Sequence, residues 1–364
     1  MPSKIFSGAI KGLDTQIVEV EVDVSHGLRS FNIVGLPDKA VEESKERIGS
    51  AIKSSKLVSP FQRPFKVLVN LAPADLKKEG AIYDLPIALS FLLASNQIKF
   101  ETQDKIFFGE LALDGKLRPI KGALPFALLA KKENIKELIL PKTNEKEVVL
   151  ISALLKDQKN LKIVGIESLD DAIKYLEGKK IIENTSLNGE ELIKNPEYPV
   201  DLGWVKGQEY AKRALEITAA GGHNIFLSGP PGGGKTLLAK AIPSILPKLS
   251  FSESLDVTKI YSIAGLLPED KPFINFRPFR SPHHTSSEAA LMGGGNPPRP
   301  GEITLAHRGV LFLDEFPEFH RDVLEALRQP LEEGRITVAR AKNTFTFPSR
   351  FMLIAASNPC PSVI

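Results

Sequence analysis

One glycine-rich stretch constrains the fold of this chain more than any other. It follows a short apolar run, residues 224–227, and leads into a segment of helical character, residues 237–242. Its residues are Gly229, Pro230, Pro231, Gly232, Gly233, Gly234, Lys235 and Thr236. A strand, a glycine-rich turn that ends in Lys-Thr, and a helix together predict a phosphate-binding loop in an α/β fold.

The residue types of this loop predict the chemistry of its ligand. Glycines let the backbone curl closely, so that several N–H groups point at one phosphate chain. The helix that follows adds the positive end of its dipole. We expect Lys235 to reach the terminal phosphates and the Thr236 hydroxyl to bind Mg²⁺, which makes ATP and Mg²⁺ the expected cofactors.

A second motif follows about 80 residues later, where four apolar residues, 310–313, precede Asp314 and Glu315. The apolar run predicts a buried parallel strand, and ligands bind at the carboxyl ends of such strands. We expect Asp314 to hold Mg²⁺ and Glu315 to polarise the attacking water. A third apolar strand, residues 351–357, ends in the same way at the polar residue Asn358.

Composition sets broad limits on the class of protein. The chain has 364 residues, of which 42% are hydrophobic and 25% charged, and its net charge is +3. This charge is too small to argue for nucleic acid by itself. The single cysteine, Cys360, excludes an internal disulfide, and no apolar run reaches the roughly 18 residues of a membrane span. We therefore expect a cytoplasmic protein.

The hydrophobic pattern predicts three regions. Residues 1–177 read as a compact α/β domain, with an alternating strand at 17–24 and a hairpin at 106–117 that turns at Asp114-Gly115. Residues 178–200 are polar and lack periodicity, which indicates a linker. Residues 201–364 carry the nucleotide motifs.

Two insertions distinguish the second domain. Residues 279–301 contain His283 and His284 and a glycine-rich segment, for which we expect a mobile loop. The paired histidines lack a third ligand with metal-site spacing, so a structural or loop-ordering role is favoured. Residues 334–348 contain two short segments in which apolar and polar residues alternate, on either side of a basic tip at residues 340–343. This pattern predicts a hairpin. Arg340 and Lys342 at this tip are candidate contacts to a nucleic-acid backbone, against the alternative of a solvated turn.

The first domain resembles the Lon-protease-type fold, a relative of ribosomal protein S5 domain 2. The resemblance lies in residues 77–90, in Gly109-Glu110-Leu111 and in residues 118–122. The active members use a Ser–Lys dyad, but the matching positions here are about Ile82 and Leu124. Neither side chain can act as a nucleophile or a base, so the resemblance implies the fold without peptidase chemistry.

The second domain resembles the magnesium-chelatase-like AAA+ ATPases, through residues 229–236, 279–301, 309–319 and 330–361. With the Lon-type domain added, the chain resembles the ComM/YifB branch. The resemblance implies a P-loop AAA+ core with a parallel sheet, a hexameric ring, and a DNA motor that promotes branch migration in natural transformation. It also implies that Asn358 positions the water or senses the terminal phosphate, that the hairpin points toward the ring pore, and that residues 207–208 belong to the adenine-side segment.

The sequence departs from this family at its end. After Cys360-Pro361 the family continues with a second cysteine and a helical lid, whereas here Ser362-Val363-Ile364 follow. We therefore expect a chain truncated before the lid, without the sensor arginine and arginine finger that complete the site. Such a chain would bind ATP and hydrolyse it poorly.

Other functions remain open at this point. A magnesium-chelatase subunit fits the ATPase half but not the Lon-type half. A remodelling ATPase without a DNA substrate would carry the same nucleotide motifs. An enhancer-binding transcription activator would need a Gly-Ala-Phe-Thr-Gly-Ala loop, which this sequence lacks.

Overall fold

The computed structural model of the chain describes residues 2–154, 161–182, 196, 198–268, 271–295, 298–340 and 343–359, with the backbone alone at 150–154, 339–340 and 343. The chain divides into two compact units. The first contains Met1–Gly189 and Pro268–Pro272, and the second contains Glu190–Leu267 and Phe273–Ile364.

The first unit is built on a mixed sheet of seven strands in the order β3-β4-β2-β1-β5-β8-β9. β1, β2 and β4 pair antiparallel, and the remaining neighbours pair parallel. The strands are β1 Ser3–Lys11, β2 Asp14–His26, β3 Ser30–Val34, β4 Phe65–Ala72, β5 Lys105–Phe107, β8 Glu137–Pro141 and β9 Lys162–Ile166. A mixed α/β fold, as the sequence predicts, is therefore confirmed for this unit.

Helices bury both apolar faces of this sheet. They are Lys39–Glu42, Ser44–Ser54, Asp84–Ala94, Ala123–Lys132, Lys142–Leu154 and Leu169–Leu176, with the 3₁₀ turn Ala81–Tyr83. Asp38 caps the first of them, because its carboxylate accepts the Val41 N–H at 2.8 Å. Residues 84–92 of the apolar helix are all buried, which explains why its sequence lacks a polar face.

Two features of this unit differ from the sequence prediction. β1 was not predicted, and it pairs with β2 along its whole length from Ser3 to Lys11. The predicted hairpin 106–117 is divided, because β5 joins the large sheet while only β6 Glu110–Leu111 and β7 Leu117–Arg118 pair around the Asp114-Gly115 turn.

The second unit contains a parallel sheet of four strands in the order β10-β17-β14-β11. The strands are β10 Ile225–Ser228, β11 Phe279–Arg280, β14 Val310–Leu313 and β17 Met352–Ser357. β14 is buried at every position, as expected for the four apolar residues before Asp314. Since all four strands run in one direction, their carboxyl ends lie at one edge of the sheet.

Short helices surround this sheet. They are Glu209–Gly221, Lys235–Ala241, Phe251–Ala264, Glu288–Met292, Glu302–Leu305, Arg321–Ala326 and Arg328–Glu333, with 3₁₀ turns at Leu202–Trp204, Ile242–Ser244 and Phe316–Glu318. A capping box formed by Ser250 and Glu253 starts the longest of them. The core combines Leu215, Leu238 and Ile242 with Phe312 and Ile354 of the sheet.

The two insertions have regular structure where they are described. The insertion 279–301 contains helix Glu288–Met292, and the glycine-rich segment expected to be a mobile loop forms β12 Gly293–Gly294, which pairs with β13 Arg299–Pro300. The predicted hairpin consists of β15 Arg335–Arg340 and β16 Asn343–Pro348. Lys342 lies outside the described residues, and Arg340 is described only by its backbone.

Within the described ranges, none of the helices has the length and apolar character needed to cross a membrane.

Candidate nucleotide site

Three loops meet at the carboxyl edge of the parallel sheet. β10 and β17 are in register from Ile225–Ile354 to Ser228–Ser357, and Leu313 of β14 pairs with Ala355. The glycine-rich loop, Asp314 and Asn358 directly follow the ends of these three strands. Strand order and register therefore bring together residues that are up to 123 positions apart in the sequence.

The glycine-rich loop has the conformation that its sequence predicts. Gly232 and Gly234 have φ of +77° and +79°, a region that other residues rarely adopt. Gly229, Gly232 and Gly234 have no atom within 4 Å of the position where a Cβ would lie, so the loop leaves its backbone accessible. A loop of this kind can accept a phosphate chain at close range.

Lys235 lies at the mouth of this loop. Its ammonium group donates to the carbonyl oxygens of Gly229 and Pro230 at 2.7 and 3.0 Å. It also donates to Asn358 Oδ1 at 2.9 Å. The two residues predicted to contact the terminal phosphate are thus in direct contact, on two adjacent strand ends.

Thr236 and Asp314, the predicted Mg²⁺ ligands, also meet. The Thr236 hydroxyl donates to Asp314 Oδ2 at 2.8 Å, and the other carboxylate oxygen accepts the Glu315 N–H at 3.0 Å. Hydroxyl and carboxylate oxygens are the ligands that Mg²⁺ prefers, and it usually takes only one or two protein carboxylates beside phosphate and water. The described residues contain no cluster of three or more metal-ligating His, Cys, Asp or Glu. The donor set therefore suits a nucleotide-bound Mg²⁺.

Glu315 adopts an unusual backbone conformation next to this pair. Its φ of 51° lies in the left-handed region, which for a non-glycine residue often marks a functional site. The side chain is about half exposed, and its Oε2 lies 3.1 Å from His284 Nδ1. His284 in turn packs against His283, with ring centroids 4.1 Å apart, and edge-on against Phe319.

Sequence reasoning missed this contact of His284. It assigned the two histidines a loop-ordering role and did not relate them to the nucleotide motifs. No sequence motif indicates it, because the histidines reach this edge through β11, a two-residue strand that pairs parallel with β14. Arg280 fixes the start of their loop through a two-point ion pair with Glu302, with both N–O distances at 2.6 Å.

The segment predicted to be on the adenine side also contacts the loop. Gln208 has a φ of 59°, and its side-chain amide donates to the Gly233 carbonyl at 3.2 Å. The neighbouring Tyr210 is 96% exposed. Gln208 therefore lies beside the phosphate loop, and the assignment of residues 207–208 to the adenine side stays a prediction.

In the first unit, the positions of the Lon-type dyad hold apolar side chains. Leu124 is fully buried, and its N–H donates to Glu147 at 2.9 Å. Ile82 lies in the 3₁₀ turn and packs against both hydrophobic clusters of the unit. Nearby, burial raises the pKa of Asp84 to about 6, although Arg47 lies 2.6 Å away.

Comparisons with known proteins cover both units. Residues 201–364 match the family described as "Magnesium chelatase, subunit ChlI", and residues 20–144 match "Subunit ChlI of Mg-chelatase". The chain is 43% identical to competence protein ComM of Haemophilus influenzae over 363 residues, which is 98% of this chain and 69% of ComM. It is 44% identical to YifB of Escherichia coli over 364 residues, 99% of this chain and 68% of YifB.

A weaker similarity concerns less than half of the chain. The Lon protease of Solibacter usitatus is 26% identical over 171 residues, 46% of this chain and 21% of that protein. This agrees with the Lon-type resemblance of the first domain. Taken with the nucleotide motifs and the parallel sheet, these findings show that the chain belongs to the magnesium-chelatase-like AAA+ ATPases, in the family of competence protein ComM and YifB.

Proposed function

We propose that this chain hydrolyses ATP and uses the energy to move along DNA, in the manner implied by the resemblance to ComM. The observation that carries the ATPase part is the pair of hydrogen bonds Lys235–Asn358 and Thr236–Asp314 at one sheet edge, with Glu315 beside them. These five residues supply a phosphate contact, a metal site and a carboxylate for water.

Each side chain has a role that its position supports. Lys235 and the loop N–H groups would bind the phosphate chain, and Thr236 and Asp314 would hold Mg²⁺. The metal, when bound, neutralises the charge that develops on the phosphate oxygens. Glu315 would orient and polarise the attacking water, and Asn358 would hold the terminal phosphate in line with it. His284 restrains the Glu315 carboxylate from the neighbouring loop.

The DNA part of the proposal rests on the hairpin β15–β16. Its strands pair from Arg335–Pro348 to Arg340–Asn343, and the sequence places Arg340 and Lys342 at its tip. Two cations at the tip of a hairpin can follow a phosphate backbone without reading its sequence. We propose that six copies form a ring in which these hairpins line the pore.

The test is ATP turnover and DNA binding with single-stranded and branched DNA. The Arg340→Ala/Lys342→Ala protein should bind both DNAs more weakly, with a salt slope lower by about 2 than that of the unmodified chain. Lys131→Ala/Lys132→Ala is the matched control, because it removes two exposed cations from a helix of the first unit. The proposed DNA motor would be contradicted if ATP turnover responds to neither DNA and the salt slope of the Arg340→Ala/Lys342→Ala protein is unchanged.

A magnesium-chelatase subunit is the alternative that a specific observation favours. The matched family description over residues 201–364 names that enzyme. This alternative predicts ATP turnover that depends on a partner subunit and a porphyrin and is indifferent to DNA. The same turnover assay, with DNA omitted and added, separates the two.

A further inference from the structure

A second cleft lies at the opposite end of the parallel sheet. Its volume is about 530 Å³, and its wall includes Asn224, Gly309 and Phe351. Each of these residues directly precedes a strand, since β10, β14 and β17 begin at the next position. Strands of four to six residues separate the two sheet edges by roughly 13–20 Å. The cleft is therefore distinct from the nucleotide site.

The charged residues in the cleft wall are all arginines. Arg277, Arg308 and Arg350 line it, and no aspartate or glutamate does so in the part of the chain that the structure describes. Glu253 contacts Arg308 Nη1 at 3.2 Å and compensates one of the three charges. The guanidinium of Arg350 is exposed and makes no hydrogen bond or ion pair with the described residues. The cleft therefore has an excess of positive charge.

The protein holds these arginines in place. Arg277 donates from Nε to Pro247 O at 2.6 Å and from Nη1 to Arg308 O at 2.7 Å. These bonds use two of its five N–H donors and leave the others for a ligand. The backbone N–H of Arg350 donates to His307 Nδ1 at 3.1 Å, and the backbone N–H of Arg308 donates to the Arg350 carbonyl oxygen at 2.6 Å. These two bonds hold the backbone of Arg350 against that of residues 307–308. The Arg277 guanidinium is therefore preorganised, which reduces the loss of conformational entropy on binding, whereas Arg308 and Arg350 are linked here through their backbone.

Two buried polar atoms of the cleft residues have no partner among the described residues. They are the hydroxyl of Ser349, whose residue is 1% exposed, and Nε of Arg308. Buried polar groups are nearly always hydrogen-bonded, so these two atoms leave hydrogen-bonding capacity in the cleft wall that the described residues do not use.

The positive field of the arginines also acts on a neighbouring buried side chain. The pKa of His307 is lowered to about 4, by burial first and then by the charges of Arg308 and Arg350. The imidazole therefore stays neutral and accepts the Arg350 N–H. A ligand of negative charge at the cleft would offset this field.

We propose that this cleft binds a small phosphorylated ligand, whose phosphate group is held by Arg350 and Arg308 with Arg277 beside them. Guanidinium groups match phosphate oxygens in charge and in two-point geometry, and three arginines, of which Arg308 alone pairs with Glu253, favour a dianion. A volume of about 530 Å³ is in the range of small-molecule sites. The proposal does not rest on the proposed function.

The test is calorimetric titration with inorganic pyrophosphate. Pyrophosphate would also bind the phosphate loop, so the titration uses Lys235→Ala protein, in which that competing site is weakened. Binding should persist in Lys235→Ala and weaken about tenfold or more when Arg350→Ala is added. Adding Arg321→Ala should leave it unchanged, because Arg321 is 87% exposed and pairs only with its helix neighbour Glu325.

Three outcomes would overturn the proposal. One is that Lys235→Ala protein binds no pyrophosphate, and another is that Arg350→Ala binds it as well as the control does. Arg350→Lys is a control for misfolding, because it keeps the charge but not the planar fork. If it binds pyrophosphate with intermediate affinity and its melting temperature is unchanged, misfolding does not explain the weaker binding. The third outcome that would overturn the proposal is tighter binding of a single-stranded oligonucleotide than of pyrophosphate. If that binding depends on Arg350, the cleft is a nucleic-acid contact.

Discussion

The side chain of Glu315 is held in a way that its motif alone does not reveal. The residue has a positive φ, and His284 lies 3.1 Å from its carboxylate, on a loop that Arg280 ties to Glu302. A carboxylate that polarises water needs a defined direction as well as a charge. His284 is therefore a positioning residue for Glu315 in the proposed reaction.

Removal of the His284 side chain should slow ATP turnover without weakening nucleotide binding. We expect His284→Ala to lower kcat about tenfold, the rate equivalent of one charge-assisted hydrogen bond, with KM little changed. His320→Ala is the control, because His320 is exposed and its side-chain partner among the described residues is Asp322, at 3.3 Å. A fall in both kcat and binding, or equal effects of the two variants, would indicate a structural role instead.

His307 gives the second unit a dependence of stability on pH. Its pKa falls from the usual 6.5 to about 4 in the folded state, so the folded chain binds fewer protons than the unfolded chain between these values. Stability is therefore fully present above pH 6.5 and decreases as the pH falls toward 4, by about 3 kcal/mol in total.

Replacement of His307 by Gln should flatten this dependence. The amide oxygen of Gln can still accept the Arg350 N–H and does not titrate. We expect the melting temperature of His307→Gln to fall less between pH 7 and pH 5 than that of the unmodified chain, measured by calorimetry. His320→Gln should behave like the unmodified chain, since His320 is 76% exposed. An equal fall in the melting temperature of all three proteins would refute the assignment of this pH dependence to His307.

At the scale of elements, β11 and β14 bring the histidine loop to the nucleotide edge. Gly309 makes this possible, because a Cβ at its position would lie 2.0 Å from the Pro278 carbonyl oxygen. That carbonyl accepts the Val310 N–H at 2.7 Å and starts the pairing of the two strands. Only glycine permits so close an approach of the two backbones.

Gly309→Ala should therefore destabilise the second unit. We expect a loss of about 1–3 kcal/mol in the free energy of unfolding, as for other overpacked sites. Calorimetry would measure it, with Gly27→Ala as the control, since nothing lies within 4 Å of a Cβ at Gly27. A loss no larger than that of the control would show that the strands move apart without cost.

The sequence predicted three of the four strands of the parallel sheet, because each nucleotide motif follows an apolar run, but not β11 or the helices between residues 251 and 333. It missed β1, since Ser7 and Gly8 interrupt the hydrophobic pattern of that strand and its pairing with β2 compensates. The hairpin predicted at 106–117 is divided because β5 pairs with the distant strands β1 and β8 instead. Local patterns do not specify which distant strand a segment will pair with.

At the scale of the whole molecule, the motifs and family membership indicate an ATPase. The structure adds which of the site residues are in contact with one another. Positions of Lys235, Thr236, Asp314, Glu315 and Asn358 were readable from the sequence, because loop spacing and strand ends reveal them. Their mutual contacts were not, since these depend on the strand order β10-β17-β14. The contact with His284 and the arginine cleft depend on tertiary packing in the same way.

The central claim is that Glu315 activates water for ATP hydrolysis at this sheet edge. The most direct test is steady-state ATP turnover of the unmodified chain and of Glu315→Gln, with ATP binding measured on the same samples. We expect Glu315→Gln to bind ATP·Mg²⁺ normally and to lose turnover by about 10²–10⁴-fold. Turnover retained in Glu315→Gln, with binding intact, would contradict it.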